Sequence, residues 1–401
     1  MTQRGRFALL LGCATYLGAW AFGSKPLYPV ALGLLVAVLL AWLWTRLAGR
    51  PSGLRRRVPE IDCFAGDDVQ VQLELELERP RVPATFVLRE RIGKLGELEM
   101  TVPASGVASY VLETSYVLEG LPRGRYVFDE SVAAVEDPLG LARVEDPVDA
   151  PGALLVYPRL VELDGLFSDA GALALNGRRM LLRRPSGFDL HNVREYENGE
   201  SLRKVHWRST AKRAQLMVKE LEDAPRDEVA VVLDADPSGV VGDSFETQVR
   251  AAGSILMAHG RRGRRAVLVV NSPRMEQQRI HPGDAEGRQA LELLAAVEPE
   301  PGPPLHALLT EDGPAGRGLE LAVVTATLAP RLVTRLVERT AGRKSISLVL
   351  VDAASFGKLG TRSVYPGLLA LQAAGVAVAV VRAGDDLAAA LSAPAVEAAR
   401  G

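Results

Sequence analysis

Five short runs, Val229 to Leu233, Ala266 to Val270, Leu319 to Val324, Ile346 to Val351 and Val376 to Val381, are apolar almost from end to end and rich in β-branched residues. A strand wetted on one face alternates apolar and polar residues, so a run without alternation belongs where both faces are covered. Between these runs lie stretches of helical periodicity: Ser244 to Arg261, Ala285 to Val297, Pro330 to Thr340, Val364 to Ala373 and a last one from Leu387. Strand and helix alternating at this spacing predict a parallel, doubly wound α/β sheet over residues 229–401. The proline-rich piece Glu298 to Pro304 falls inside the pattern and reads as a loop of the same domain.

Upstream the period changes to two. Val69 to Glu78 places valines and leucines on one face and glutamine or glutamate on the other. Further strands are expected at Ala84 to Arg91, Glu97 to Val102, Ser109 to Leu118, Gly124 to Phe128, Val132 to Val135 and Leu154 to Tyr157, with Gly and Pro between them. Residues 58–160 therefore read as an antiparallel β-sandwich whose glutamate face is solvated.

Two apolar segments open the chain, Phe7 to Phe22 and Leu27 to Ala48, joined by Gly23-Ser24-Lys25-Pro26. At the helical rise per residue the second is about 33 Å long, enough for a bilayer core, and the first about 24 Å. Residues 1–57 are thus expected to form a transmembrane hairpin of two helices with basic flanks. Arg4 and Arg6 precede the first segment, and Arg46, Arg50, Arg55, Arg56 and Arg57 follow the second, against Lys25 alone in the turn. The excess of positive charge puts both termini and the soluble domains in the cytoplasm, on a multi-pass protein of the inner membrane.

A formal net charge of -2 gives no general attraction to polyanions, so no nucleic-acid partner is expected. Cys13 and Cys63 lie too far apart for a redox or zinc motif, and the five histidines show no HxH or HxxxH spacing. The chain has no GxxxxGKS/T loop, no GxGxxG opening its first sheet helix, no GxSxG elbow and no HExxH. A small-molecule substrate is accordingly not expected.

Open α/β sheets bind ligands beyond the carboxyl ends of their strands. The first strand ends Leu233-Asp234-Ala235-Asp236-Pro237-Ser238. Asp234, Asp236 and Ser238 at alternate positions resemble the first metal loop of von Willebrand factor A domains, which would take Mg²⁺ through oxygen ligands. The loop is degenerate: Asp236 stands where that pattern has a serine, and Thr325-Ala326-Thr327 lacks the acidic residue expected after a later strand, with Asp243 and Thr325 as substitutes. Read blandly, the two aspartates form a turn and cap a helix, and no cofactor is expected. Read functionally, the loop would serve a divalent-metal-dependent hydrolase or a ligand-binding domain.

Residues 161–228 join the two patterns. A basic connector containing Arg178, Arg179, Arg183 and Arg184 leads into Gly187 to Glu222, which interleaves aromatics, histidines and charges of both signs. Val193 to Tyr196 reads as a strand, Asn198-Gly199 as a turn, Glu200 to Ala211 as a helix and Leu216 to Leu221 as a second strand. Within it Arg194, Glu195, Tyr196, Gly199, Glu200, Arg203, His206, Trp207, Lys212 and Arg213 form a spaced signature. Acid, base and cation are all present, but mixed charge more often means ion pairs that position an aromatic such as Trp207.

That signature resembles the DUF58 family of bacterial proteins of unknown function, with Glu200 where the family commonly shows Asp. The same resemblance extends to Arg123-Gly124-Arg125-Tyr126, Asp137-Pro138-Leu139-Gly140-Leu141 and Val156-Tyr157-Pro158-Arg159. It implies a von Willebrand A-like sheet and association with AAA+ ATPases of the MoxR type, and the mixed charges of the signature residues then read as docking rather than catalysis. The expected function is a non-enzymatic, membrane-anchored interaction or adaptor module that partners such an ATPase in assembling protein complexes.

Overall fold

The computed structural model describes residues 1–59, 62–82, 84–102, 110–163, 165–169, 190–195, 210–212, 215–221, 228–280, 287–310, 313–316, 320–341, 345–358 and 365–392, with backbone alone for 190–195 and 218–221. The chain divides into two compact units, Met1–Tyr157 and Pro158–Gly401.

The first unit opens with helices α1 (Gln3–Ala21) and α2 (Leu27–Leu47), which pack against each other. Small residues fill much of the seam: Gly12 and Ala19 are buried on α1, and Ala31, Val38, Ala41 and Thr45 on α2. Large side chains such as Phe7, Leu10, Leu17, Trp20, Val30 and Leu39 face outward and are exposed. The expected transmembrane hairpin of two helices needs correction. Among the described residues only Leu27–Leu47 is long and apolar enough to cross a membrane, judged by length and composition. Gln3, Arg4, Arg6 and three glycines dilute α1, whereas α2 is apolar up to Thr45 and Arg46. A multi-pass protein is therefore not supported, and neither is the membrane orientation that depended on two spans.

Among the described residues nine strands follow: β1 (Arg50–Arg57), β2 (Cys63–Phe64), β3 (Val69–Glu78), β4 (Thr85–Ile92), β5 (Gly96–Val102), β6 (Val111–Leu118), β7 (Gly124–Glu136), β8 (Arg143–Val148) and β9 (Gly152–Tyr157). One sheet has the order β1-β3-β6 and is antiparallel. The other runs β2-β9-β7-β4-β5 with β8 also on β7, and it is mixed, because Cys63-Phe64 lies parallel to Val156-Tyr157. The expectation of a purely antiparallel sandwich is corrected accordingly. The alternation of β3 sends Val69, Val71, Leu73, Leu75 and Leu77 into a core that they share with Phe86, Leu88, Tyr126 and Val156 of the second sheet. Between the sheets sits a buried polar cluster of Arg56, Glu90, Tyr116 and Ser131.

In the second unit β10 (Leu190–Glu195) and β11 (Met217–Leu221) form an antiparallel pair. The main sheet contains β12 (Val229–Leu233), β13 (Ala266–Val270), β14 (Gln277–Ile280), β15 (Glu320–Thr325), β16 (Ser345–Val351) and β17 (Ala377–Val381), in the order β14-β13-β12-β15-β16-β17. Helices α3 (Ser244–Arg261), α4 (Arg288–Ala296), α5 (Leu305–Leu308), α6 (Pro330–Ala341), α7 (Gly367–Ala373) and α8 (Leu387–Ser392) accompany it. Val229, Val231 and Leu233 join the cluster that contains α3, α4 and α8, while Ala230 and Val232 join the one that contains α5, α6 and α7.

The predicted all-parallel, von Willebrand A-like doubly wound sheet is not what forms: the sheet is mixed. After β13 the chain returns within a turn closed by Val270 N–H on the Glu276 carbonyl at 2.9 Å and Met275 N–H on Ser272 at 2.9 Å. So short a connection leaves no room for a crossover, and β14 must run antiparallel.

Ahead of that sheet, the segment from Pro158 lies along α3. Arg250 Nε donates to the Arg159 carbonyl at 3.0 Å, Val161 N–H to Ser254 Oγ at 3.0 Å, and Arg262 makes two bonds to Asp169, at 3.2 and 3.1 Å. Phe167 N–H closes the segment onto the Leu391 carbonyl of α8 at 2.7 Å.

Candidate functional site at the carboxyl ends of the strands

Each of the five parallel strands delivers a polar side chain at its carboxyl end: Asp234 after β12, Asn271 after β13, Thr325 closing β15, Asp352 after β16 and Arg382 after β17. The connections leave β12 towards β13 on one side and β15 towards β16 on the other, so the switch point falls between β12 and β15, where Asp234 and Thr325 stand.

Asp234 is 5% exposed, and protein donors engage both of its carboxylate oxygens. Asn271 Nδ2 donates to Oδ1 at 2.7 Å, Asp236 N–H reaches the same oxygen at 3.2 Å, and Thr325 Oγ1 donates to Oδ2 at 2.6 Å. Asn271 Oδ1 in turn accepts the Ala235 N–H. Burial pushes the Asp234 carboxyl above the usual aspartate value, and the hydrogen bonds from Thr325, Asp236 and Asn271 offset part of that rise. Thr325 also ties down its own loop by accepting the Thr327 N–H at 3.0 Å.

A second cluster surrounds Asp352, which is 1% exposed. Tyr365 Oη donates to Oδ1 at 3.3 Å, Arg382 Nε lies 3.7 Å from Oδ2, and Ser355 Oγ donates to the Asp352 carbonyl at 2.6 Å. Ser355 Oγ then accepts the Ala383 N–H at 2.9 Å, which links the loops after β16 and β17.

The loops over this edge press on one another. A Cβ on Gly302, within the proline-rich loop, would overlap the Asn271 carbonyl, and Glu300 N–H donates to the Ala235 carbonyl at 2.9 Å. Gly242, at φ +51, brings the loop after β12 against the Phe356 carbonyl, where a Cβ would sit 3.0 Å away.

Of the predicted metal loop, Asp234 faces Asn271 and Thr325, and Asp236 Oδ1 accepts the Ser238 N–H at 2.9 Å in a local turn that caps a short 3₁₀ segment. Hard divalent ions are held by a convergent shell of oxygens. Here the buried carboxylate is already satisfied, the second points at its own turn, and Ala326 adds no ligand. Among the described residues no group of three or more His, Cys, Asp or Glu could hold a metal ion. The residues do not fit a bound Mg²⁺.

Most of the signature lies outside the described residues: Tyr196, Gly199, Glu200, Arg203, His206, Trp207 and Arg213. Arg194 and Glu195 are placed by backbone within β10, opposite Val218 and Met217, and Lys212 is exposed. The arginines around Gly263 are engaged: Arg261 pairs with Glu162, Arg262 with Asp169 and Arg264 with Glu320. Sequence reasoning passed over Asn271, Asp352 and Arg382, although each is the first residue after an apolar run.

The fold and this edge define a mixed α/β unit whose ligand-binding position is occupied by its own side chains, preceded by a β unit with an apolar helix pair. Residues 192–359 match the family model DUF58, described as a protein of unknown function, the same family that the signature resembles. The "Uncharacterized protein YeaD" of Bacillus subtilis (strain 168) is 26% identical over 328 residues, covering 78% of this chain and 79% of its own length. Among solved structures, a CARDB domain from Pyrococcus furiosus in complex with di-metal ions covers 26% of this chain at 13% identity with a TM-score of 0.20, and itself by 90%. A beta-galactosidase-like structure from Bacteroides fragilis covers 75% of this chain and 46% of itself at 10% identity with a TM-score of 0.16. Neither structure bears on fold or function at such scores.

Proposed function

We propose that this chain is a binding module that performs no chemistry of its own and works with an energy source outside the chain, a MoxR-type AAA+ ATPase. The observation that supports the first part is the state of the sheet's carboxyl edge. Asp234, Asn271 and Thr325 satisfy one another there, and all three are buried. Catalytic carboxylates are normally left facing a space that a reacting group can enter. The second part rests on the family resemblance and on a sequence that carries no phosphate-cradling GxxxxGKS/T loop. The docking residues of this reading are those of the signature, Arg203 and Trp207 foremost.

The test is co-purification of the full chain with a MoxR-type ATPase from the same genome, in the presence of ATP, of ADP and of neither. Recovery that Arg203→Ala and Trp207→Ala abolish, with circular dichroism unchanged, is the expected result. Failure to recover the ATPase under every nucleotide condition overturns the partner assignment.

A further inference from the structure

The apolar helix pair is not tethered to the β unit by a linker; each helix is seated in it separately. Thr2 caps α1, its Oγ1 accepting the Gly5 N–H at 3.1 Å. The same hydroxyl donates to the Gly140 carbonyl at 2.7 Å, and Thr2 N–H donates to the Leu141 carbonyl at 3.2 Å. Those two carbonyls are presented by the turn 137–142, which is stiffened from within. Asp137 is buried, its Oδ2 accepts the Leu139 N–H at 2.8 Å, and its Oδ1 accepts the Ala142 N–H at 2.5 Å. Gly5 lies so close to the turn that a Cβ would overlap the Leu141 carbonyl oxygen, so the first turn of α1 touches the β unit backbone to backbone.

The second seat is independent of the first. At the carboxyl end of α2, the Leu47 carbonyl accepts the Arg81 N–H at 2.8 Å from the β3–β4 connection, where Arg79 holds φ +49. Ala48, the next residue, is 1% exposed and belongs to the β core, and Arg50 already pairs with Glu78. One attachment would let a helix swivel. Two, on helices that also pack against each other along their length, remove that freedom.

We propose that the turns 137–142 and 79–81 are two sockets of a rigid mount, which makes the helix pair and the β unit one lever. A displacement imposed on the outer apolar faces of the pair is then carried to the β sheets without slack. The Asp137-Pro138-Leu139-Gly140-Leu141 motif acts as a positioning element for α1 rather than as a contact for a partner.

The full-length chain in detergent tests this by spin-label distance measurement. Labels go on Cys13, exposed on α1, and on Glu97→Cys, exposed on β5, with the buried Cys63 replaced by Ser. A single narrow distance distribution is expected in the parent. Thr2→Val, which removes the hydroxyl bonds without adding bulk, should broaden it; Gly5→Val combined with Arg81→Pro should abolish the narrow peak. Hydrogen exchange across β3 and β4 reports whether the strands persist, and Thr2→Val decides the matter if the double variant loses them. A broad distribution in the parent, or an unchanged narrow one in Thr2→Val with the strands protected, overturns the rigid mount.

Discussion

Arg56 of β1 and Glu90 of β4 join the two sheets of the first unit through a contact of 2.6 Å between Nη2 and Oε1, with side-chain exposures of 3% and 0%. Tyr116 donates to the other carboxylate oxygen of Glu90 at 2.6 Å, Ser131 lies 3.2 Å from Arg56 Nη2, and the guanidinium stacks 4.1 Å from the Phe128 ring. Arg56 Nη1 also donates to the Ala150 carbonyl. Burial, together with the Glu90 carboxylate, drives the Tyr116 hydroxyl well above the tyrosine range, so it serves as a permanent donor.

Removing one member of a buried pair leaves the other charge without compensation. Glu90→Ala is therefore expected to destabilise the first unit by about 3–5 kcal/mol. The paired change Arg56→Met with Glu90→Leu should recover most of that loss. Urea unfolding of the full chain, followed by exchange protection of β3 and β4, measures both; a single variant as stable as the parent would count against the clamp.

At the edge of the second unit, Thr325→Val strips one donor from the buried Asp234 carboxylate and leaves its Oδ2 without the 2.6 Å bond. Orphaning such a group costs about 1–3 kcal/mol. The Asp234 carboxyl should rise further, since one of the bonds that restrain it is gone. Denaturation midpoints and carboxyl titration by NMR check the two halves separately.

Titration calorimetry of the parent with Mg²⁺ and Mn²⁺ is expected to show no saturable heat, because Asn271 and Thr325 occupy the oxygens that an ion would need. A stoichiometric binding isotherm abolished by Asp234→Asn would contradict the reading of this edge as self-satisfied.

The buried His259 of α3 supplies a pH dependence. Burial, opposed by nearby Glu320 and reinforced by Arg264 and Arg262, lowers its pKa from 6.5 to about 4. It is neutral near pH 7, so its 3.8 Å approach to Glu320 is not an ion pair there. Between those values the unfolded chain binds the proton and the folded one does not. Stability is thus present above about 6.5 and is lost as pH falls towards 4. The full span corresponds to roughly 3 kcal/mol. His259→Gln should flatten this limb, which urea midpoints at pH 7 and pH 5 would reveal.

The apolar runs from Val229 onward were legible because burial on both faces leaves no alternative pattern, and the five strands stand within a residue or so of where they were read. β14 was not, since Gln277-Gln278-Arg279-Ile280 carries one apolar residue and gains its place from the preceding turn. β1 was hidden for another reason. Arg50 to Arg57 reads as a basic flank, but Arg55 and Arg57 pair outward with Glu76 and Glu74 while Arg56 turns inward to Glu90. Charge composition cannot reveal which of three neighbouring arginines has a carboxylate waiting inside. The pattern likewise pointed to Asp234, but only the parallel register shows that Asn271 and Thr325 converge on it.

The short return from β13 to β14 has a further effect. An uncovered sheet edge invites another strand to join it, and natural sheets blunt such edges with short, polar or charged strands. β14 has four residues, three of them polar or charged, and two of those are exposed. Five apolar parallel strands thus end, on that flank, in a strand poorly suited to templating growth. The turn that makes the sheet mixed is also a guard against its polymerisation.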